Sequence, residues 1–205
     1  MRTVKAVRLL GAAAIITALA ATTYAAVRDG VFVLWNFFGF FTIQSNVIGV
    51  VVLLVAVRYT AAARPRWVEL ARACATVYLV IVGIVYWTLL VGVDVQIAYP
   101  WANVILHGVS SVLLLTDWLI EGPRATLPWR DAWVVLIYPA VWLAVVIVRG
   151  ATDGWVPYPF LDPSHGYMSV AVVGLGIAAV GYGLGLAVFR LTRWRVVAPA
   201  RRPGR

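Results

Sequence analysis

The chain alternates long apolar runs with short turns that carry arginine, proline or glycine. Six runs, near residues 7–27, 35–57, 70–92, 101–120, 132–148 and 167–189, match the roughly 20 helical residues that a hydrocarbon core demands. The pattern predicts an all-α fold, a polytopic membrane protein with six transmembrane helices in one domain spanning residues 1–205. The short links leave no room for a soluble domain, so any chemistry must lie in or between the helices.

Two runs carry polar residues in register. In the second, Phe37-Phe38-Gly39-Phe40-Phe41-Thr42-Ile43-Gln44-Ser45-Asn46-Val47-Ile48-Gly49, a helical advance of about 100° per residue puts Gly39, Thr42, Ser45, Asn46 and Gly49 on one narrow stripe. Gln44 lies off it. Polar side chains are costly against lipid, so the stripe is expected to face a bundle interior or a wet cavity. Such stripes also serve plain helix packing through small residues and interhelical hydrogen bonds. In the fourth run, Asn103, His107, Ser110 and Ser111 fall within about 100° of one another. An imidazole inside a span is rare and invites a functional reading, although a buried histidine is as readily a structural donor. Counted from the flanking Trp35 and Trp101, Thr42 and His107 lie about 10 Å and about 9 Å below one interfacial belt. On helices running the same way, hydroxyl and imidazole then arrive at one level.

The other runs speak mainly of packing. Tyr78, Tyr86 and Trp87 in the third read as packing and belt aromatics. Asp117, toward the end of the fourth run and close to Arg124, reads as a solvated anchor at the interface. Pro139 is expected to kink the fifth run, and Gly181 with Gly185 gives the sixth a close-packing face. Between these two runs, the segment from Thr152 to His165 holds three prolines among aromatics. It predicts a stiff roof over the Thr42 and His107 end, or a hairpin resting in the interface.

Composition agrees with the pattern. A chain of 205 residues with 63% hydrophobic content, 12% charged residues and mean hydropathy +0.91 is excluded from the ordinary soluble class. The net charge of +9 would suit a nucleic-acid binder, but its distribution argues otherwise. Placing both termini in the cytoplasm puts 15 of the 17 lysines and arginines inside and leaves only Arg28 and Arg149 outside, as the positive-inside rule requires. The expected setting is a cell membrane, crossed several times, with the lipid bilayer as partner and residues 190–205 as a basic cytoplasmic tail against anionic headgroups. Nucleic acid is not an expected partner. The first run ends at Ala21-Thr22-Thr23-Tyr24-Ala25-Ala26, with the small residues of a signal cleavage site, but its length favours a retained helix. The lone Cys74 excludes an intramolecular disulfide and a cysteine metal cluster.

Phe41-Thr42 in the second run, Asn103-x-x-x-His107 in the fourth and the loop Trp155-Val156-Pro157-Tyr158-Pro159-Phe160-Leu161 occur in one arrangement, in which the chain resembles the androgen-induced protein family. The resemblance covers most of the chain in order and is carried by these three segments. The loop has one additional residue before its Tyr-Pro-Phe-Leu core. The resemblance implies a multi-pass membrane enzyme that hydrolyses fatty acid esters of hydroxy fatty acids, with an intramembrane threonine nucleophile and a histidine. Those residues would be Thr42 and His107. The Ala, Val and Arg usage is bacterial in character, so the natural ester is left open.

A threonine hydroxyl needs a base before it can attack an ester carbonyl, and His107 is the span histidine available for that task. Thr42 and His107 are therefore the expected catalytic pair, forming an acyl-enzyme that water then cleaves. An oxyanion in a low-dielectric pocket needs preorganised donors. Asn46 and Asn103 are the leading candidates, with Ser45 and Ser111 as further substrate or oxyanion groups. No cofactor and no metal ion is expected. No acidic residue stands at that depth to complete a triad, although Asp94 and Asp162 lie in loops that could approach. The competing expectation is a non-enzymatic membrane protein, foremost a structural or assembly partner and then a small transporter, in which Thr42, Asn46, Asn103 and His107 lock helices together. A transporter would carry internal repeats or broken helices, and neither is evident in the sequence.

Overall fold

A computed structural model describes residues 2–60, 64–92, 99–121 and 126–193. Every regular element among them is helical. Six helices are long and apolar enough to cross a membrane: Arg2–Arg28, Phe41–Arg58, Arg66–Leu90, Pro100–Ile120, Trp129–Thr152 and Tyr167–Arg190. Their α-helical parts are α1 (Arg2–Arg28), α3 (Phe41–Arg58), α4 (Arg66–Val85), α5 (Pro100–Val104), α6 (Ser110–Ile120), α7 (Ile137–Thr152) and α8 (Tyr167–Arg190), and the short turn α2 (Leu34–Phe37) stands before α3. Asp94, Arg124 and the tail beyond Arg193 lie outside the described residues.

α3 and α4 form the centre, with 56% and 61% of their apolar windows buried, whereas the spans of α1, α7 and α8 bury 22% or less. The outer helices leave Leu10, Met168 and Leu175 exposed, as helices against hydrocarbon do. α1 packs on α3 and α5, α6 on α4, and α8 on α4 and on the 3₁₀ segment Trp129–Leu136. Small residues allow the close approach. A Cβ on Gly49 would meet Leu79 Cδ1 at 2.7 Å, one on Gly181 would meet Ile81 Cδ1 at 2.9 Å, and one on Gly185 would meet Val135 Cγ2 at 2.9 Å. Gly181 and Gly185 thus make the expected packing face.

The second span departs from expectation at its start. Phe40 is extended (φ −68°, ψ 127°), so α3 opens at Phe41 and Leu34–Phe37 is a separate turn. Gly39 marks the break, because the Trp155 indole packs against it: a Cβ there would lie 2.3 Å from Trp155 Cη2 and 2.9 Å from Trp35 O. Trp142 Nε1 donates to Gly39 O at 2.8 Å. Gly39 therefore drops out of the polar stripe, and Thr42 stands in the first turn of its helix. The depth counted down from Trp35 does not apply.

Two spans change gauge. The third turns from α to π at Tyr86–Leu90, and the fourth runs through a π turn at Ile105–Val109 between α5 and α6. The fifth opens as 3₁₀ helix and becomes α at Ile137. Pro139, which has no N–H to offer the turn before it, lies two residues after this change of gauge.

Asp117 is not a solvated anchor. Its carboxylate is 8% exposed and pairs with Arg8 Nε (2.6 Å) and Arg72 Nη2 (2.7 Å). Arg8 also reaches Glu121 (2.5 Å), Arg64 contacts Glu69 (3.3 Å) and Glu121 (3.1 Å), and Arg72 contacts Glu69 (3.1 Å). Three guanidinium groups and three carboxylates thus form one buried neutral network that joins α1, α4, α6 and the link before α4. Burial, and then the neighbouring Arg72, bring Arg64 down to about 10, still a cation at neutral pH.

Candidate functional site

The first amides of a helix have no carbonyl one turn behind them. At the start of α3 this frees the Thr42 N–H, which donates to the Tyr158 phenol oxygen at 3.3 Å. The Thr42 side chain turns into the bundle, 8% exposed. Its Oγ1 stands 3.3 Å from His107 Nε2 and 3.3 Å from Tyr158 Oη.

His107 occupies the π turn of the fourth span. Turns of this kind free backbone carbonyls from the regular ladder and are frequent at functional sites. His107 Nδ1 lies 3.0 Å from Asn103 O. A carbonyl only accepts, so Nδ1 carries the hydrogen and the neutral ring presents the Nε2 lone pair to Thr42. The Tyr86 ring stacks on the imidazole, with centroids 4.1 Å apart and planes at 28°. Asn103 Nδ2 donates to the Tyr86 hydroxyl at 2.5 Å, so carbonyl and amide of one asparagine hold both rings.

Tyr158 comes from the proline-rich loop, which does roof this end. Phe40, Trp142 and Phe160 surround its ring. The Arg149 guanidinium lies 4.2 Å over Trp155 and donates to Trp35 O and Asn36 Oδ1, tying the roof to α2. Burial pushes the Tyr158 phenol above its ordinary value, with its hydrogen bonds to Thr42 and to the Phe41 amide pulling the other way. It is therefore a protonated donor.

The remaining sequence-derived candidates divide. Asn103 is at the site, and one hydrogen of its amide goes to the Tyr86 hydroxyl. Asn46 Nδ2 donates to Thr42 O and Leu106 O, both at 2.9 Å. Its two hydrogens are used, so Asn46 has no N–H left to offer an oxyanion, while Asn103 keeps one. Ser111 Oγ bonds Leu79 O (2.5 Å) and His107 O (3.0 Å), which makes it a clasp between α4 and the π turn and not a substrate group. Ser45 Oγ and Asn46 Oδ1 are buried without a hydrogen-bond partner among the described residues. Gln44 bridges Phe38 O and the Tyr138 hydroxyl. Asp162 accepts the Ser164 N–H at 2.8 Å in a loop turn, and the group that orients the imidazole is the Asn103 carbonyl. Among the described residues no three of His, Cys, Asp or Glu gather as a metal site.

Sequence reasoning missed Tyr158 and Tyr86 as site residues. The loop segment carrying the family resemblance contained the signal for Tyr158. Tyr86 reads in sequence as one more packing aromatic; it opens the π segment of the third span and stacks on His107 inside the π turn of the fourth. Comparison of the chain with protein-family models, with curated proteins and with solved structures gives no match.

Proposed function

We propose that the chain is an integral membrane hydrolase of a lipid ester, a fatty acid ester of a hydroxy fatty acid or a similar compound, and a member of the androgen-induced protein family. Thr42 is the nucleophile and His107 its base. The observation that carries the reading is the 3.3 Å contact between Thr42 Oγ1 and the imidazole nitrogen left unprotonated by the Nδ1 bond to Asn103 O. The Thr42 proton passes to Nε2 as Oγ1 bonds to the ester carbon. The alcohol then leaves with that proton, and water releases the acid by the same route. Six apolar helices suit a substrate that is itself dissolved in the bilayer. The charge pattern supports cytoplasmic termini in a cell membrane, with the Thr42 end outward.

A structural lock has its own support, since Asn46 and Ser111 donate across helices to Leu106 O and Leu79 O. Labelling of the membrane-embedded chain by an alkyl fluorophosphonate separates the two. The native chain is expected to label and Thr42→Ala not to. His107→Gln, which keeps a hydrogen-bonding side chain but loses the base, should label about 10²–10⁴ times more slowly. All three should unfold at the same temperature. A folded native chain that does not label, or variants that lose stability instead of reactivity, would favour the lock.

A further inference from the structure

The oxyanion that forms when Thr42 attacks an ester must be met by donors; both hydrogens of the Asn46 amide are engaged elsewhere, and one of the Asn103 amide is given to Tyr86. We infer that the donors are the Tyr158 phenol and the backbone N–H of Thr42 itself. The inference rests on the hydrolase reading and adds a catalytic residue to it.

Hydrogen placement follows from one fixed point. Asn103 O holds the hydrogen on His107 Nδ1, so Nε2 accepts the Thr42 hydroxyl hydrogen. Thr42 Oγ1 has then spent its only hydrogen, and the phenol 3.3 Å away must donate to it. The Thr42 N–H in turn donates to the phenol oxygen. Every hydrogen in the chain from Thr42 N through Tyr158, Thr42 Oγ1 and His107 to Asn103 O has one direction. At rest, the two donors therefore converge beside the atom that will attack.

During attack the Oγ1–carbon bond forms and the Oγ1–H bond breaks, with the proton taken by Nε2. The carbonyl electron pair moves onto the ester oxygen. Oγ1 becomes an ether-like oxygen that no longer needs the phenol, while the new oxyanion does. The phenol O–H turns from Oγ1 to the oxyanion, and the Thr42 N–H exchanges the phenol oxygen for the same acceptor. Collapse restores the carbonyl, breaks the carbon–oxygen bond to the alcohol and passes the His107 proton to that alcohol. The positive end of the 18-residue α3 points at this position, and an anion is favoured there. The roof holds the phenol in place through the Tyr158 and Phe160 rings, stacked at 5.2 Å, and through Phe40 and Trp142.

The test is the rate of fluorophosphonate labelling in native, Thr42→Ala and Tyr158→Phe chains, each reconstituted in the same bilayer and normalised to folded protein. Tyr158→Phe keeps the ring and its stacking and should label about 10²-fold more slowly, as the loss of one oxyanion donor does. For p-nitrophenyl ester hydrolysis the loss should fall on kcat, with KM unchanged. Should Tyr158→Phe fail to fold, p-aminophenylalanine and 3-fluorotyrosine at position 158 replace it, compared with the native phenol at neutral pH, where both phenols keep their proton and the aromatic amine is uncharged. Labelling should follow donor acidity, fluorotyrosine fastest and aminophenylalanine slowest. Labelling that depends on Thr42 but not on Tyr158, or a flat series, overturns the inference and leaves the hydrolase reading standing. Labelling that is absent from the native chain, or indifferent to Thr42, overturns both.

Discussion

The two ends of this bundle solve the problem of buried polarity in opposite ways. At one end six charged side chains, from Arg8 to Glu121, neutralise one another through contacts of 2.5 to 3.3 Å. At the other, among the described residues, the Thr42 hydroxyl meets only the neutral side chains of His107 and Tyr158, both at 3.3 Å, and Ser45 Oγ and Asn46 Oδ1 go without partners. Buried charge is tolerated only when paired and hydrogen-bonded, so the ionic end has committed its groups to one another. Neutral hydroxyls and amides cost less when loosely held, and a loosely held hydroxyl is one that a base can deprotonate. A search for ionisable clusters would therefore choose the Asp117 end of this molecule and pass over Thr42 and His107.

The sharpest way to break the comparison is to remove one charge. Asp117→Asn leaves Arg8 and Arg72 sharing fewer negative partners in a buried setting, and should cost about 3–5 kcal/mol of stability. The measurement is reversible unfolding in detergent beside fluorophosphonate labelling per folded molecule. Stability should fall while the labelling rate holds. A labelling rate that fell with stability intact would mean that the two ends are coupled and that the ionic network takes part in the site.

This asymmetry also explains what was legible in the sequence. Hydropathy and helical period depend on neighbours within a turn or two, so the six spans and the polar residues of α3 could be read directly. The depth argument that paired Thr42 with His107 rested on a continuous helix from Trp35, and the break at Gly39 removes its basis. The residues nonetheless meet. The break depends on Trp155, more than a hundred residues away in sequence, whose indole occupies the space a side chain would need. Asp117 was misread for the same reason, since its partner Arg8 is 109 residues distant. The π turns in which Tyr86 and His107 lie leave no mark in hydropathy, because they alter the helix gauge and not the alternation of polar and apolar positions.

Gly83 tests whether the neutral end tolerates displacement. It lies in α4 against the π turn, and a Cβ would come within 2.8 Å of Ser111 Oγ and 2.9 Å of His107 O. The second contact is backbone and cannot rotate aside. Gly83→Ala should cost about 1–3 kcal/mol and, by moving the imidazole from Thr42, slow labelling about tenfold or more. Gly49→Ala is the control, because its nearest neighbour is the flexible tip of Leu79 at 2.7 Å; it should cost stability and spare the labelling rate. Equal effects of the two on labelling would show that the site responds to general loosening and not to the position of His107.

The smallest effects come from two buried serines that differ in what they touch. Ser111 Oγ bonds Leu79 O and His107 O, so Ser111→Ala should lose about 1 kcal/mol, the usual net worth of such a bond together with the carbonyls left behind. Ser45 is buried more deeply, 0% exposed against 9% for Ser111, and its Oγ has no partner among the described residues. Ser45→Ala removes a desolvated hydroxyl that has nothing to lose and should leave stability unchanged or raise it by up to about 1 kcal/mol. Unfolding midpoints of the two variants under one set of conditions decide the point. Opposite signs would place Ser111 in the framework that holds His107 and Ser45 outside it. A clear loss in Ser45→Ala would mean instead that its hydroxyl serves a bound water or lipid, and that the neutral end is more tightly satisfied than its protein contacts alone suggest.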